Sequence, residues 1–158
     1  MANRYLLPVY ETLYGRKFSY TNFEQRMEMQ KAVYLLQDMG VPVGDYGFRW
    51  YQHGPYSQRL HDDMYYENGR GCRAINLSKE YNESINRLRD VIHNKAGKAY
   101  SISNWVECLA SLHYLSENLL SFSASKEDVV RELETRKKHL NDHETNLSAF
   151  SLVEGLFT

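Results

Sequence analysis

From Ser78 onward, apolar residues return every third or fourth position, a spacing that one face of an α-helix meets and a β-strand does not. Tyr81, Ile85, Leu88 and Ile92 form one such face, which runs out near Gly97. Ser103 is placed to cap a helix carrying Trp105, Leu109, Leu112 and Leu119. Ser125 caps the next, with Glu127 and Asp128 in its first turn, where carboxylates favour the helix dipole. Glu127–Arg131, Glu132–Arg136 and Glu134–Lys138 stand at i, i+4 there, each worth a few tenths of a kcal/mol, and mark a solvated face. Asn141 or Asp142 restarts a last helix with Leu147, Phe150 and Val153 inward. Residues 78–158 therefore predict a helical bundle.

The first half is more varied. Arg4 to Tyr14 reads as a short helix with Tyr5, Leu6, Val9 and Leu13 on one face; Pro8 is tolerable only within its first turn, and Gly15 ends it. Thr21 or Asn22 caps a longer helix from Phe23 to about Met39, in which Met29, Val33 and Leu36, widened by Ala32, Leu35 and Met39, make the stripe. Gly40 stands where a helix-ending glycine is expected. Gly47 to Tyr51 predicts an aromatic strand, Gly54-Pro55 breaks it, and a helix starting at Gly54 or Ser57 runs to about Glu67. "CRAINL", residues 72–77, offers a second strand after the turn "NGRG". The order predicts a mainly α fold with a small β element: a winged-helix-like part over 1–77, with the helical part, 78–158, packed on it as a single domain. No repeat, low-complexity run or linker interrupts the chain.

At 158 residues the chain is long enough to bury a sizeable core, and its formal charge of −1 does not suggest nucleic-acid binding as a whole. Thirteen tyrosines are an excess, suited to a small core or to a surface that takes partners. Two cysteines, Cys72 and Cys108, show no CxxC spacing and fit free thiols in a reducing compartment. "MANRYLLPVYETLYG" has no secretory h-region, and no run approaches the roughly 18 apolar residues of a membrane helix. The expectation is a cytoplasmic protein off the membrane, in which the Asn-x-Ser triplets at Asn76, Asn82 and Asn146 are chance.

No GxSxG, GxxxxGK[ST], HExxH or GxGxxG is present, so hydrolase elbows and phosphate cradles are unsupported. Two ordinary cysteines read as buried small hydrophobes rather than nucleophiles. His139 and His143 would share a face on a continuous helix, as metal ligands can, yet "HLNDH" straddles a helix restart and reads better as solvated polar residues. His61 beside Asp62 and Asp63 has the same bland reading, because adjacent helical residues diverge. No catalytic residue, metal or cofactor is assigned. In "HGPYS" proline fixes the backbone, Trp50 and Tyr56 supply flat apolar area, and Ser57 offers a cap, so a structural corner is the leading reading of His53. As a recognition helix, "SQRLHDDMYYE" sets Asp62, Asp63 and Glu67 against Arg59. Arg70 and Arg73 are a thin basic wing, so duplex binding is disfavoured.

Two segments carry a likeness. "MQKAVYLLQDMGVPVGDYGFRWYQHGPYSQRLHDDM", Met29 to Met64, resembles the YwgA-like proteins, whose pattern is a "LQKLVYLL" helix, an aromatic strand, "HGPYS" and a leucine three residues on, here Leu60. "WVECLASLHYLSENL", "SKEDVVRELETRKKHL" and "AFSLVEGL" resemble that family's tail, so the likeness spans about Phe23 to Leu156. The Panacea domain, the SocA-like antitoxin group, is similar in pattern, with "LQKLLYFAQ" and "WKHGPV"; here Ala32 replaces a leucine and Tyr56 the valine. The resemblance implies a small helical, winged-helix-like protein, acting as an antitoxin-like or mobile-element-associated regulator that binds a protein partner, a toxin or another regulator. By the matched motif, Gln30, Lys31, Trp50, His53, Tyr56 and Ser57 are the partner-binding candidates, and Gly54, Pro55 and Leu60 the structural ones. A non-enzymatic interaction module leads. A winged-helix DNA-binding regulator, a ligand-binding or enzymatic site at the His53 corner, and a homodimer stay open.

Overall fold

A computed structural model describes residues 3–71, 74–120 and 123–158. The described chain is mainly helical, with one small antiparallel sheet of two strands. Its elements are α1 (Leu6–Tyr14), α2 (Phe23–Asp38), β1 (Arg49–Tyr51), β2 (Gly54–Tyr56), α3 (Gln58–Glu67) and α4 (Lys79–Asn94). Then come α5 (Ile102–Tyr114), which runs on as a π-helical turn over Leu115–Leu119, α6 (Lys126–Arg136) and α7 (His143–Gly155). No described helix is long and apolar enough to cross a membrane.

Local chemistry sets the boundaries. Asn22, Ser57, Ser78, Ser125 and Asp142 each accept a backbone N–H of the following first turn, which satisfies a donor the helix itself leaves unpaired. At α6 the arrangement is reciprocal, since the Asp128 side chain returns to the Ser125 N–H. Pro8 lies in the first turn of α1, and Gly15 and Gly40 close α1 and α2 at φ +73° and +89°, where glycine is free to go. The cap of α5 differs from expectation: it is Ser101, whereas Ser103 is buried inside the first turn and donates to Glu28 Oε2 at 2.7 Å. Helix α6 stops at Arg136, so the Glu134–Lys138 pair does not share it. Glu132 does bond Arg136, at 2.7 Å, while Glu134 turns to His143 and Asn146.

The centre of the molecule is α2 packed along α5, with α7 on the far side of α5 and α1 and α4 closing the other flank. The expected stripe of α2 is buried except Met39, half-buried at the cap beyond it, but so is everything from Met27 to Leu36, because partners surround the helix. Leu88, Ile92, Trp105, Leu109, Leu112, Phe150 and Val153 are buried as their spacing predicts, and Trp105 Nε1 donates to Val91 O at 3.0 Å. Leu119 is 42% exposed: the π-helical turn rotates it off the face it would hold in a continuing α-helix.

The sheet corrects the sequence reading. Of the expected second strand over 72–77, Cys72 and Arg73 lie outside the described residues, and residues 74–77 form no strand. The partner of β1 is Gly54–Tyr56, the stretch read as a break, in the register Arg49 with Tyr56, Trp50 with Pro55 and Tyr51 with Gly54. Each strand of a two-stranded sheet is an edge, and there proline is accepted. Gln52 and His53 form the two-residue turn between the strands, so His53 sits at a hairpin tip rather than at a strand-to-helix corner.

Gly54 is held there for two reasons. Its φ is +88°, and a Cβ on it would stand 2.3 Å from Ser111 Oγ on α5. Gly54→Ala should destabilise the protein by about 2–4 kcal/mol in urea unfolding, against about 1 kcal/mol for Gly15→Ala, which has positive φ but open space. Ser111→Ala, which removes only an unbonded buried hydroxyl, should recover part of the Gly54→Ala loss. Equal costs at the two glycines would show that the close approach is not what holds the hairpin.

Candidate functional site

The hairpin tip is gripped from below by two lysines. Lys31, on the inner face of α2, donates from Nζ to Pro55 O at 2.9 Å. Lys137, one residue past α6, donates to Tyr51 O at 3.0 Å and also to Gln52 O. Both are nearly sealed from solvent, at 1% and 4% exposure. Gln30 completes the attachment with a two-way pair to the Ser57 backbone, Nε2 to O and N to Oε1, each 2.8 Å. Ser57 is itself buried and caps α3 through the Leu60 N–H at 3.2 Å. The motif residues Gln30, Lys31, Gly54, Pro55, Ser57 and Leu60 are thus one buried joint between α2, the hairpin and α3.

Beneath the joint lies Glu107 of α5, 1% exposed. Its Oε1 bonds His139 Nε2 at 2.9 Å. Its Oε2 has no hydrogen bond among the described residues and faces Lys137 Nζ at 3.9 Å and His53 Nδ1 at 4.0 Å. One carboxylate thus faces a buried lysine and two imidazoles, with Lys31 within its electrostatic reach. Burial dominates the lysines: desolvation pulls Lys31 down to about 7, with Lys137 adding repulsion and Glu107 opposing, and lowers Lys137 in the same way. Desolvation also depresses His53, again against the pull of Glu107.

Outward of the joint is a cavity of about 390 Å³, walled by Phe23, Met27, Lys31, Tyr56, Met64 and the His53 turn. Aromatic groups ring its mouth. Tyr51 stacks on Tyr56 (5.1 Å, 25°), Tyr56 approaches His61 (6.4 Å), and His61 meets Tyr20, whose hydroxyl bonds His61 Nε2 at 2.9 Å. Arg26 lies over both Tyr20 and Phe23, at 5.2 and 5.6 Å, and Phe23 meets His53 edge-on at 5.2 Å. Phe23 and Tyr51 are 53% and 62% exposed, so the cavity mouth presents apolar area to solvent. Trp50 does not join this ring. It faces the other way, against Tyr114, with Arg136 and Lys137 over its indole.

The other sequence candidates separate. His139 goes to Glu107 and His143 to Glu134, whose hydrogen bond raises the imidazole above its ordinary value. His61, Asp62 and Asp63 go to Tyr20, Gln58 and Tyr46 respectively. Among the described residues no group of three or more His, Cys, Asp or Glu side chains is placed to hold a metal. Cys108 is buried beside Asn146, and burial pushes its thiol up. On α3, Arg59 and Asp62 are exposed, with Arg59 over the Tyr46 ring, Asp63 is half-buried and only Glu67 is buried. Sequence reasoning missed Glu107, Lys137, Phe23 and Arg26. The one signal was Phe23, an aromatic at a helix start outside the apolar stripe. Comparison of the chain with family models, curated proteins and solved structures yields no match.

The lysines set a pH dependence. In the unfolded chain Lys31 keeps its proton to about 10.5, whereas in the fold it releases it at about 7. Between these values the unfolded state binds more protons, so stability rises with pH; Lys137 acts in the same direction. Urea unfolding from pH 7 to 9 should therefore show increasing stability, and Lys31→Met should flatten that slope. An unchanged slope in the variant would place the buried proton elsewhere.

Proposed function

We propose that this protein is a non-enzymatic interaction module of antitoxin-like kind, and that its protein partner docks on the aromatic rim around the His53 hairpin. The observation that carries the reading is the rim itself: Tyr51, Tyr56, His61 and Phe23 line one cavity, and Tyr20 beside it joins His61 to Phe23 through Arg26. Aromatic and arginine side chains supply most of the energy in protein interfaces, giving large contact area for little lost conformational freedom. The likeness of Met29–Met64 to YwgA-like and Panacea sequences supports the antitoxin-like part. It also supports a winged-helix-like first half with a helical bundle packed on it. The buried free thiol of Cys108 is in keeping with action in the cytoplasm.

A photoreactive phenylalanine analogue at position 51, expressed in the native host, should crosslink one defined protein. The same probe at Glu83, on the exposed side of α4, should not. Phe23→Ala with Tyr56→Ala should weaken binding of the identified partner by about tenfold or more, as loss of central aromatic contacts does. Capture at both positions alike, or at neither, refutes the reading.

A further inference from the structure

The walls of the cavity differ in charge from the protein as a whole. Its polar lining is Arg26, Gln30, Lys31, Gln52, His53 and His61, and among the described residues no carboxylate lines it, in a chain whose acidic residues outnumber its basic ones. Arg26 is half-buried. One guanidinium nitrogen donates to Tyr20 O, and its other N–H groups make no hydrogen bond within the described residues. Gln30 spends both ends of its amide on Ser57, and Lys31 donates to Pro55 O, so Arg26 is the charged donor left to meet a ligand. A guanidinium held between two aromatic faces at a cavity mouth is preorganised for a carboxylate.

A neighbouring depression across Phe23 and His53 has the opposite character, with Glu24 and Glu107 in its wall. The rim also extends beyond the cavity, through Tyr20 to Tyr65, which is 64% exposed and meets Tyr20 at 5.3 Å. That is more apolar surface than a small anion would cover.

Deepening the docking reading above, on which this rests, we infer that the cavity receives an acidic side chain of a partner's peptide segment, flanked by apolar residues that lie on the aromatic rim. The carboxylate meets Arg26, and the flanking residue packs on Tyr51 and Tyr56.

Random short peptides displayed on phage and selected on the immobilised full-length protein test this directly. The enriched sequences should place Asp or Glu beside an aromatic or aliphatic residue. In fluorescence polarisation the best peptide should lose about tenfold or more in affinity with Arg26→Glu, and much less with Arg26→Lys. Its binding should also weaken with added salt. Circular dichroism and urea unfolding establish that each variant is folded, and Gln52→Glu, in the exposed turn, gives an independent change of charge at the cavity with the same expected direction. Enriched peptides without an acidic residue, affinity indifferent to both charge changes, or no enrichment at all would overturn the inference. So would full competition by free succinate, which would mark a small-anion site instead. If crosslinking at position 51 succeeds while selected peptides lack acidic residues, the docking face stands and only its charge preference falls.

Discussion

Everything on the candidate face rests on two buried lysine amino groups bonded to the carbonyls of a hairpin only three residues to a strand. A two-stranded ribbon of that length has no independent stability in water. Lys31 and Lys137 approach it from α2 and from the end of α6, hold both sides of its turn, and so tie together segments 106 residues apart in the chain. Burying two such groups is costly, and Glu107 offsets the cost from below. A methionine in place of either lysine would pack, but it would remove the donor that holds Pro55 O or the Tyr51 and Gln52 carbonyls. The ion cluster is therefore better understood as fixing one position of the hairpin than as a source of stability.

A second buried carboxylate does comparable work one turn earlier on α2. Glu28 accepts from the Tyr10 and Ser103 hydroxyls and pairs with Arg16, joining α1, α2 and α5. Desolvation and Glu28 together raise Tyr10 and Tyr14 well above the ordinary tyrosine range, so these hydroxyls stay protonated and remain donors throughout the working pH range. Helix α2 thus carries polar anchors at 28, 30 and 31 amid an apolar surface, each aimed at a different neighbour. His113 is a further case of paired burial. It stacks flat on Phe157 at 3.9 Å and reaches Asp38, holding the last turn of the chain against α2.

What could be read from the residues alone follows a physical divide. Caps and helix stops are local chemistry, so Ser125, Gly15 and Gly40 were legible from their own neighbourhoods, and Asn22, Ser57 and Asp142 each as one of two nearby choices. Apolar stripes were legible too, because burial follows periodicity. The hairpin was not: a Gly-Pro pair breaks a strand in a deep sheet, and only the pairing partner reveals that this is an edge where proline is accepted. Ser101 and Ser103 both suit a cap, and only the buried Glu28 decides that Ser103 serves another end. Gln30 and Lys31 entered as partner contacts through a motif, yet their side chains are turned to the hairpin's own backbone. Charged residues in a helix are expected outside, and nothing within α2 says that other helices surround it.

The same divide explains why the aromatic face was only half visible. His53 and Tyr56 drew attention as neighbours in a motif, but Phe23, Arg26, Tyr20 and His61 come from two other segments and meet them only once the hairpin is seated. Trp50, read with them, alternates to the opposite side of its strand, as period-two geometry requires of a residue next to Tyr51. The rigid joint and the exposed rim are consequences of one another. With the tip pinned by Lys31 and Lys137, Tyr51 and His53 lose little freedom on meeting a ligand, so contact area converts more fully into affinity than it would on a loose loop. A face whose aromatics are solvent-exposed but whose backbone is bonded to buried charges has the construction of a binding platform rather than of a core left incomplete.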